Sequence, residues 1–499
     1  MRKASGVLLS IFSLPSKYGI GCFSKEAYQF VDWLKEAGQE YWQILPLGPT
    51  GFGDSPYQSF STFSGNPYFI DLESLIDAGL LTEAECDEVD FGNDPLSIDY
   101  EKIYNGRYKL LRKAYERSNI SSDSDYQEFV KKNDEWLDDY SLFMAIKNSF
   151  DGIAWPEWPD DIRNREEKAV EEYKAKLSDD IEFQKYMQYL FFTQWFKLRA
   201  YANKNGVKMI GDIPIYVALD SSDVWANPEL FQLDEDHNPY AVAGVPPDGF
   251  SPTGQLWGNP LYKWEYHKET GYSWWADRMN SCFDLYDVVR IDHFRGFAEY
   301  YSVPSTEDTA VNGEWVEGPG IELFNTIEKK IGKKPVIAED LGFVTETVKK
   351  LVEDSGFPGM KVLEFGFDER DTGYASDYLP HNYDYNAVAY TATHDNSTIV
   401  GWWDEVSEGT HEMVRDYLGD YYTPDDKLYV PMIAALMRSN AKLCIIPMQD
   451  YLGYDDSTRM NVPSTVGDNW KWRLNADDLS VELQKKVKKM AKLSGRYNQ

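Results

Sequence analysis

DVVRIDHF (287–294) is an apolar run that ends in charge, and its pattern decides the fold. Valine and isoleucine follow one another without the alternation of a strand that has one wet face. Such a run marks a strand buried on both faces. Seven further runs read the same way: SGVLLSIF (5–12), YWQILPL (41–47), VKMIGDIPIYV (207–217), PVIAEDLG (335–342), KVLEFGF (361–367), AVAYTATHD (387–395) and KLCIIPMQDYLG (442–453). Helical patterns lie between them. Ala27, Phe30, Val31 and Leu34 fall at helical spacing, with Gly38 as a stop. Thr345 is placed to cap a helix striped by Val348, Leu351 and Val352. Eight strands alternating with helices predict an α/β fold, a TIM (β/α)8 barrel. A doubly wound nucleotide-binding sheet is weakened, because no G-x-G-x-x-G follows a strand.

The whole chain, 1–499, reads as a single barrel domain. Residues 48–206 read as a mostly helical insertion between strands two and three, with helices over 101–117 and 181–203. Residues 218–270 read as a second insertion, a long loop that includes VAGVPPDGFSPTGQLWGNP (242–260). Loops of that length in a compact domain usually act as lids or binding loops. Only 454–499 follow the last strand, too few residues for a C-terminal β-sandwich.

The net charge of −33 argues against nucleic acid, since Lys and Arg are too few to neutralise phosphates. It argues equally against an anionic membrane surface. A charge of this size keeps a protein soluble and is compatible with a neutral substrate. Aromatic residues make up 15% of the chain, enough to line a sugar site as well as a core. Sugars offer C–H faces for stacking and hydroxyls for hydrogen bonds. Cys22, Cys86, Cys282 and Cys444 are scattered without a C-x-x-C pair. Neither a disulfide framework nor a zinc site is expected, and the usage suits a reducing compartment. Arg2 and Lys3 before VLLSIFSL (7–14) imitate a short signal peptide, but no A-x-A-like site follows and the run meets Pro15. It reads better as a buried first strand. No stretch approaches the roughly 18 apolar residues of a membrane helix. The expected location is the cytoplasm.

In TIM barrels the active site forms at the C-terminal ends of the strands. The fourth run ends in Arg290, Asp292 and His293, the fifth in Glu339 and Asp340, and the seventh in His394 and Asp395. The third carries Asp212, with Tyr216 beyond it. Carboxylates converging at one mouth are what acetal transfer needs. A retaining glycosidase uses two carboxyls about 5–5.5 Å apart, one as nucleophile and one as acid and then base. A further carboxylate helps to stabilise an oxocarbenium-like transition state. Arg290 lies two residues before Asp292, on the same strand face, where it could keep Asp292 ionised. Any one of these carboxylates is explained equally well as a helix cap or an ion-pair partner. Together, beside an arginine and two histidines, they point to chemistry. Residue types alone do not divide the roles among them.

At these residues the sequence resembles the amylomaltase-type 4-α-glucanotransferases (disproportionating enzymes, glycoside hydrolase family 77) of the α-amylase superfamily. The likeness spans nearly the whole chain. It is carried by GVLLSIFSLPSKYGIG (6–21), SPYQSFSTFSGNPYFIDLESL (55–75), GDIPIYVALDSSDVWANPELF (211–231), GVPPDGFSPTGQLWGNPLY (244–262), RIDHFRGF (290–297), IAEDLG (337–342) and TATHDN (391–396). The resemblance implies that Asp292 is the nucleophile, Glu339 the acid/base and Asp395 the carboxylate that binds and distorts the donor sugar. It implies substrate contacts from Tyr57, Asp212, Trp257, Arg290, His394 and Asn461, and from Asp248 on a loop that arches over the glucan. It implies α-1,4-glucans and maltooligosaccharides as partners, no cofactor, and a monomer or homodimer. Asp340 reads either as a helix cap or as a substrate contact, and His293 either as a satisfied histidine beside the nucleophile or as part of the chemistry. The chain departs from the family in two places. Many relatives have a histidine where this chain has Ser10, and a glycine where it has Ser464 in the loop after strand eight.

The implied reaction moves α-1,4-glucan segments between chains. An α-amylase-like hydrolase would use the same carboxylates. Against it, RIDHF has Gly296 where those hydrolases place a histidine four residues beyond the aspartate. A non-catalytic glucan-binding barrel would be expected to have lost carboxylates, and all three stand in the sequence.

Overall fold

The computed structural model describes residues 2–51, 53–247, 251–342, 344–371 and 373–497. Eight parallel strands close into a barrel: β1 (Ala4–Leu8), β2 (Tyr41–Gln43), β3 (Lys208–Pro214), β4 (Val288–Asp292), β5 (Val336–Ala338), β6 (Gly359–Val362), β7 (Ala387–Tyr390) and β8 (Leu443–Pro447). Each strand pairs with its sequence neighbours, and β1 pairs with β8 from Ala4↔Leu443 to Leu8↔Pro447. Every residue of β1, β7 and β8 is buried, which is why these runs lack alternation. Strands two and seven meet across the interior, where the Tyr390 hydroxyl donates to Gln43 Oε1 at 2.8 Å.

The helices form where the apolar spacing places them. Lys25–Glu36 buries Ala27, Phe30, Val31 and Leu34, and Gly38 follows at φ +71°, a left-handed conformation open to glycine. Glu346–Ser355 is capped by Thr345, whose hydroxyl accepts the Val348 N–H. Between β2 and β3 the long helices are Tyr100–Arg117, Asp134–Ser149 and Ser178–Lys204. The last packs onto the barrel wall, with Trp195 Nε1 donating to the Leu285 main-chain oxygen at 3.1 Å. One apolar cluster runs without a break from barrel strands such as Val289 and Ile445 to insertion residues such as Phe143 and Met187.

The described residues of 218–270 form more regular structure than a loop. Ala241–Val245 and Gln255–Pro260 pair antiparallel and continue through Glu299–Pro304 to Glu314–Glu317 in a four-stranded sheet. QLWGNP carries Gly, Asn and Pro, residues that read as a turn, and it is an edge strand whose register slips between Val242 and Gly244. It pairs directly with Ala241–Val245, and the rest of the sheet, Glu299–Pro304 and Glu314–Glu317, comes from beyond β4, where no local pattern announces it.

At the chain end, Arg496 is fully buried. Its guanidinium donates to the main-chain oxygens of Ala4, Met437, Ser439 and Ala441, tying β1 to the segment that enters β8.

Gly211 stands beside Asp212 on β3, and a Cβ there would lie 2.2 Å from the Tyr286 ring. Gly211→Ala is therefore expected to destabilise the protein by about 1–3 kcal/mol through overpacking. Thermal denaturation of the variant checks this, and an unchanged midpoint would contradict the packing described.

Candidate active site

The site is built upward from paired strands. Asp212 of β3 stands opposite Arg290 of β4 in the register, and Asp292 lies two residues on, on the same face. Arg290 Nη1 donates to both oxygens of Asp212 at 2.7 Å, and Nη2 lies 3.0 Å from Asp292 Oδ1. Both members of the Asp212–Arg290 pair are buried. Buried pairs add little net stability. This one fixes the direction in which the second guanidinium nitrogen points. Arg290 stays charged: burial opposes its charge, and Asp212 and Asp292 outweigh that.

Glu339 is the residue after β5. Its carboxyl rests on main-chain amides, with the His293 N–H donating to Oε2 and the Leu341 N–H to Oε1, both at 2.7 Å. His293 is the residue after Asp292, so the Glu339 carboxyl is held close enough to feel the Asp292 charge. Burial pushes Glu339 up to about 7, with the Asp292 charge adding to the rise. Burial also pushes Asp292 up, to about 6, but Arg290 opposes it. A proton shared by the pair therefore rests preferentially on Glu339. Side chain Asp292 remains 28% exposed, so it is open to a ligand in the mouth.

His394 and Asp395 lie in the loop beyond β7, past the strand end at Tyr390. His394 Nε2 lies 3.3 Å from Asp395 Oδ2, and Asn461 Nδ2 donates to Asp395 Oδ1 at 2.6 Å. Burial works to raise the Asp395 carboxyl, but the His394 charge and the hydrogen bonds from His394 and Asn461 outweigh it. They bring it down to about 2. His394 is raised in turn: burial opposes its charge, and Asp395 prevails. Tyr57, from the loop after β2, donates its hydroxyl to Asp212 Oδ2 at 2.8 Å and stacks on His394, centroids 5.1 Å apart. Tyr57, Asp212, Arg290, Asp292, Glu339, His394, Asp395 and Asn461 thus form one connected set.

Trp257 reaches the set from the edge strand Gln255–Pro260. Its ring meets His293 edge-on at 4.8 Å, and its Nε1 donates to Gln255 Oε1 at 3.1 Å. Of the two readings of His293, the fully satisfied histidine does not hold. It has φ +51°, and its buried Nε2 has no hydrogen-bond partner among the described residues. Burial and Arg295 press its pKa down to about 3, so the ring is neutral. Asp340 caps no helix: its Oδ1 accepts the Met360 N–H at 2.7 Å, from the neighbouring strand β6. Asp248 lies outside the described residues. Ser464 has φ +65°, the left-handed conformation that glycine takes without strain.

Some site neighbours escaped the sequence reading. Trp470 packs 5.9 Å from both Tyr57 and His394. Tyr378, from the loop after β6, lies within electrostatic reach of Asp340 and Glu339. Neither ends an apolar run, so strand-end logic passes over both. Arg459 had a signal, standing two residues before Asn461 in RMNVPST. Among the described residues no cluster of His, Cys, Asp and Glu is arranged to hold a metal ion. No helix among them is long and apolar enough to cross a membrane.

Residues 9–479 match the sequence model of the family described as 4-alpha-glucanotransferase. The 4-alpha-glucanotransferase of Streptococcus pneumoniae is 47% identical, over 100% of this chain and 98% of its own. That of Clostridium butyricum is 48% identical, over 98% and 100%. Among solved structures, the amylomaltase from Streptococcus agalactiae in complex with acarbose superposes with a TM-score of 0.96 at 43% identity, covering 100% of both chains.

Proposed function

The chain belongs to the 4-alpha-glucanotransferase family, whose members move α-1,4-glucan segments, and from that premise we propose that it does so by a retaining double displacement. Asp292 attacks the anomeric carbon of the donor and forms a covalent glycosyl-enzyme. Glu339 protonates the departing glycosidic oxygen, then takes the proton from the acceptor hydroxyl. Asp395, ionised and braced by His394 and Asn461, binds the donor sugar and helps to distort it. Arg290 keeps Asp292 anionic, and Tyr57 and Asp212 line the donor side. Trp257 lines the acceptor side, with Asp248 assigned to the arching loop. The partners are α-1,4-glucans and maltooligosaccharides, and every step uses side chains alone. Four buried, unpaired cysteines support a cytoplasmic location.

The observation that carries this reading is the Glu339 carboxyl seated on the amide next to Asp292, while Arg290 touches Asp292 and not Glu339. That asymmetry gives one carboxyl for attack and one for proton transfer. A fluorinated α-maltosyl donor whose glycosyl-enzyme breaks down slowly tests it. Mass spectrometry should find the added sugar on the peptide carrying Asp292. An adduct on another residue would refute the assignment.

Maltotriose separates transfer from hydrolysis. Glucose together with a ladder of longer oligosaccharides is expected. Maltose and glucose alone would favour the hydrolase.

A further inference from the structure

Arg459 lies in the loop after β8, on no strand of the barrel. Its three guanidinium nitrogens reach three acceptors. Nη2 donates to the main-chain oxygen of Asp395 at 2.9 Å, Nη1 to Ser397 Oγ at 2.9 Å, and Nε to the main-chain oxygen of Asn461 at 3.0 Å. Asp456 steadies the arginine, with Oδ2 3.7 Å from Nη1. Its other oxygen accepts the Thr398 N–H at 2.7 Å. A Cβ at Gly401 would lie 2.1 Å from that oxygen, so Gly401 leaves the room Asp456 needs.

These contacts close a circuit. Asp395 lies beyond the end of β7, and no ladder hydrogen bond holds it. Its main chain is held by Arg459, and its carboxylate by Asn461, whose own main chain Arg459 also holds. One planar cation thus joins the main chains of the two residues that meet at the carboxylate, beside the Asp456–Thr398 hydrogen bond between the same loops.

We propose that Arg459 is a positioning residue that fixes Asp395 and Asn461 against the donor sugar. The proposal rests on the reading of Asp395 as the donor-sugar carboxylate. A displacement of about 1 Å in a group that must meet the transition state costs about 100-fold in rate. Lysine does not replace the arginine, because a single ammonium lacks the fixed fork of three nitrogens that meets three separate acceptors. The contribution belongs to the transition state, so it falls on kcat more than on KM.

The test compares Arg459→Lys, Arg459→Ala, Asn461→Ala, the double variant Arg459→Ala/Asn461→Ala, and Asp395→Asn in maltotriose disproportionation by the full chain. Both Arg459 variants should lose about 100-fold in kcat while KM moves by less than about threefold. The double variant should be no worse than the more damaged single one, since both act through Asp395. Added guanidinium should return part of the activity of Arg459→Ala and none to Arg459→Lys. If Arg459→Ala does not fold, Arg459→Lys, which keeps the charge, carries the kcat and KM comparison. A kcat within about threefold of wild type, or losses that multiply in the double variant, would overturn the proposal. Asp395→Asn separates the two levels. Wild-type turnover there removes the reading of Asp395, whereas a crippled Asp395→Asn beside an active Arg459→Lys removes only the role of Arg459.

Discussion

Asp292→Asn is expected to lower turnover by about 10⁴-fold or more, with affinity for maltooligosaccharides unchanged within a few-fold. The substitution keeps shape and removes charge and nucleophilicity. An amide oxygen does not form the ester that carries the glycosyl group. Arg290 is not set adrift, because Asp212 still accepts its Nη1 through both oxygens. The pocket therefore keeps its form while the chemistry stops. Calorimetric titration with a maltooligosaccharide would report binding, and release of glucose from maltotriose would report turnover. Turnover near the wild-type rate would remove Asp292 from the role of nucleophile. Loss of binding along with turnover would mean that the charge serves ground-state recognition.

Glu339→Gln is expected to cost about 10³-fold in kcat/KM on maltooligosaccharides, within the usual range for a general acid–base residue. The pH profile is the sharper readout. In the wild type Asp292 acts as an anion, so activity is lost as pH falls through about 6. Glu339 acts first as an acid, so activity is lost as pH rises through about 7. The free enzyme should give a narrow bell in kcat/KM, with its top between the two limbs. In Glu339→Gln the alkaline limb should vanish and the acid limb should remain. A donor with a good leaving group should recover much of the lost rate, since its departure needs no proton. An alkaline limb that survives the substitution would assign the acid to another residue.

All eight barrel strands were legible in the sequence for one physical reason. A strand covered on both sides has no wet face, and SGVLLSIF and DVVRIDHF show unbroken apolar runs for that reason. The mouth was legible because charge at the end of a buried apolar run needs a partner or a polar site, and in a barrel the run ends share one face. Hence Arg290, Asp292 and Glu339 were found together. Their separate roles came from the resemblance, since three carboxylates at one mouth look alike as letters. The four-stranded sheet was hidden because Ala241–Val245 and Gln255–Pro260 are completed by Glu299–Pro304, a partner beyond β4 that no local pattern reveals. Trp470 and Tyr378 were hidden because a long irregular loop carries each to the site. The Ser464 departure was readable as a change of letter, but that the backbone holds φ +65° there, a conformation glycine takes without strain, shows only in the structure.

The grip of Arg496 on the Ala4 carbonyl joins residues 492 positions apart. β1 and its partner β8 are likewise remote in sequence, at Ala4–Leu8 and Leu443–Pro447. Pairings of such span form slowly, because a large loop must close before they repay its entropy. Until β8 docks, β1 presents a strand edge with unpaired main-chain groups, the kind of surface that invites aggregation.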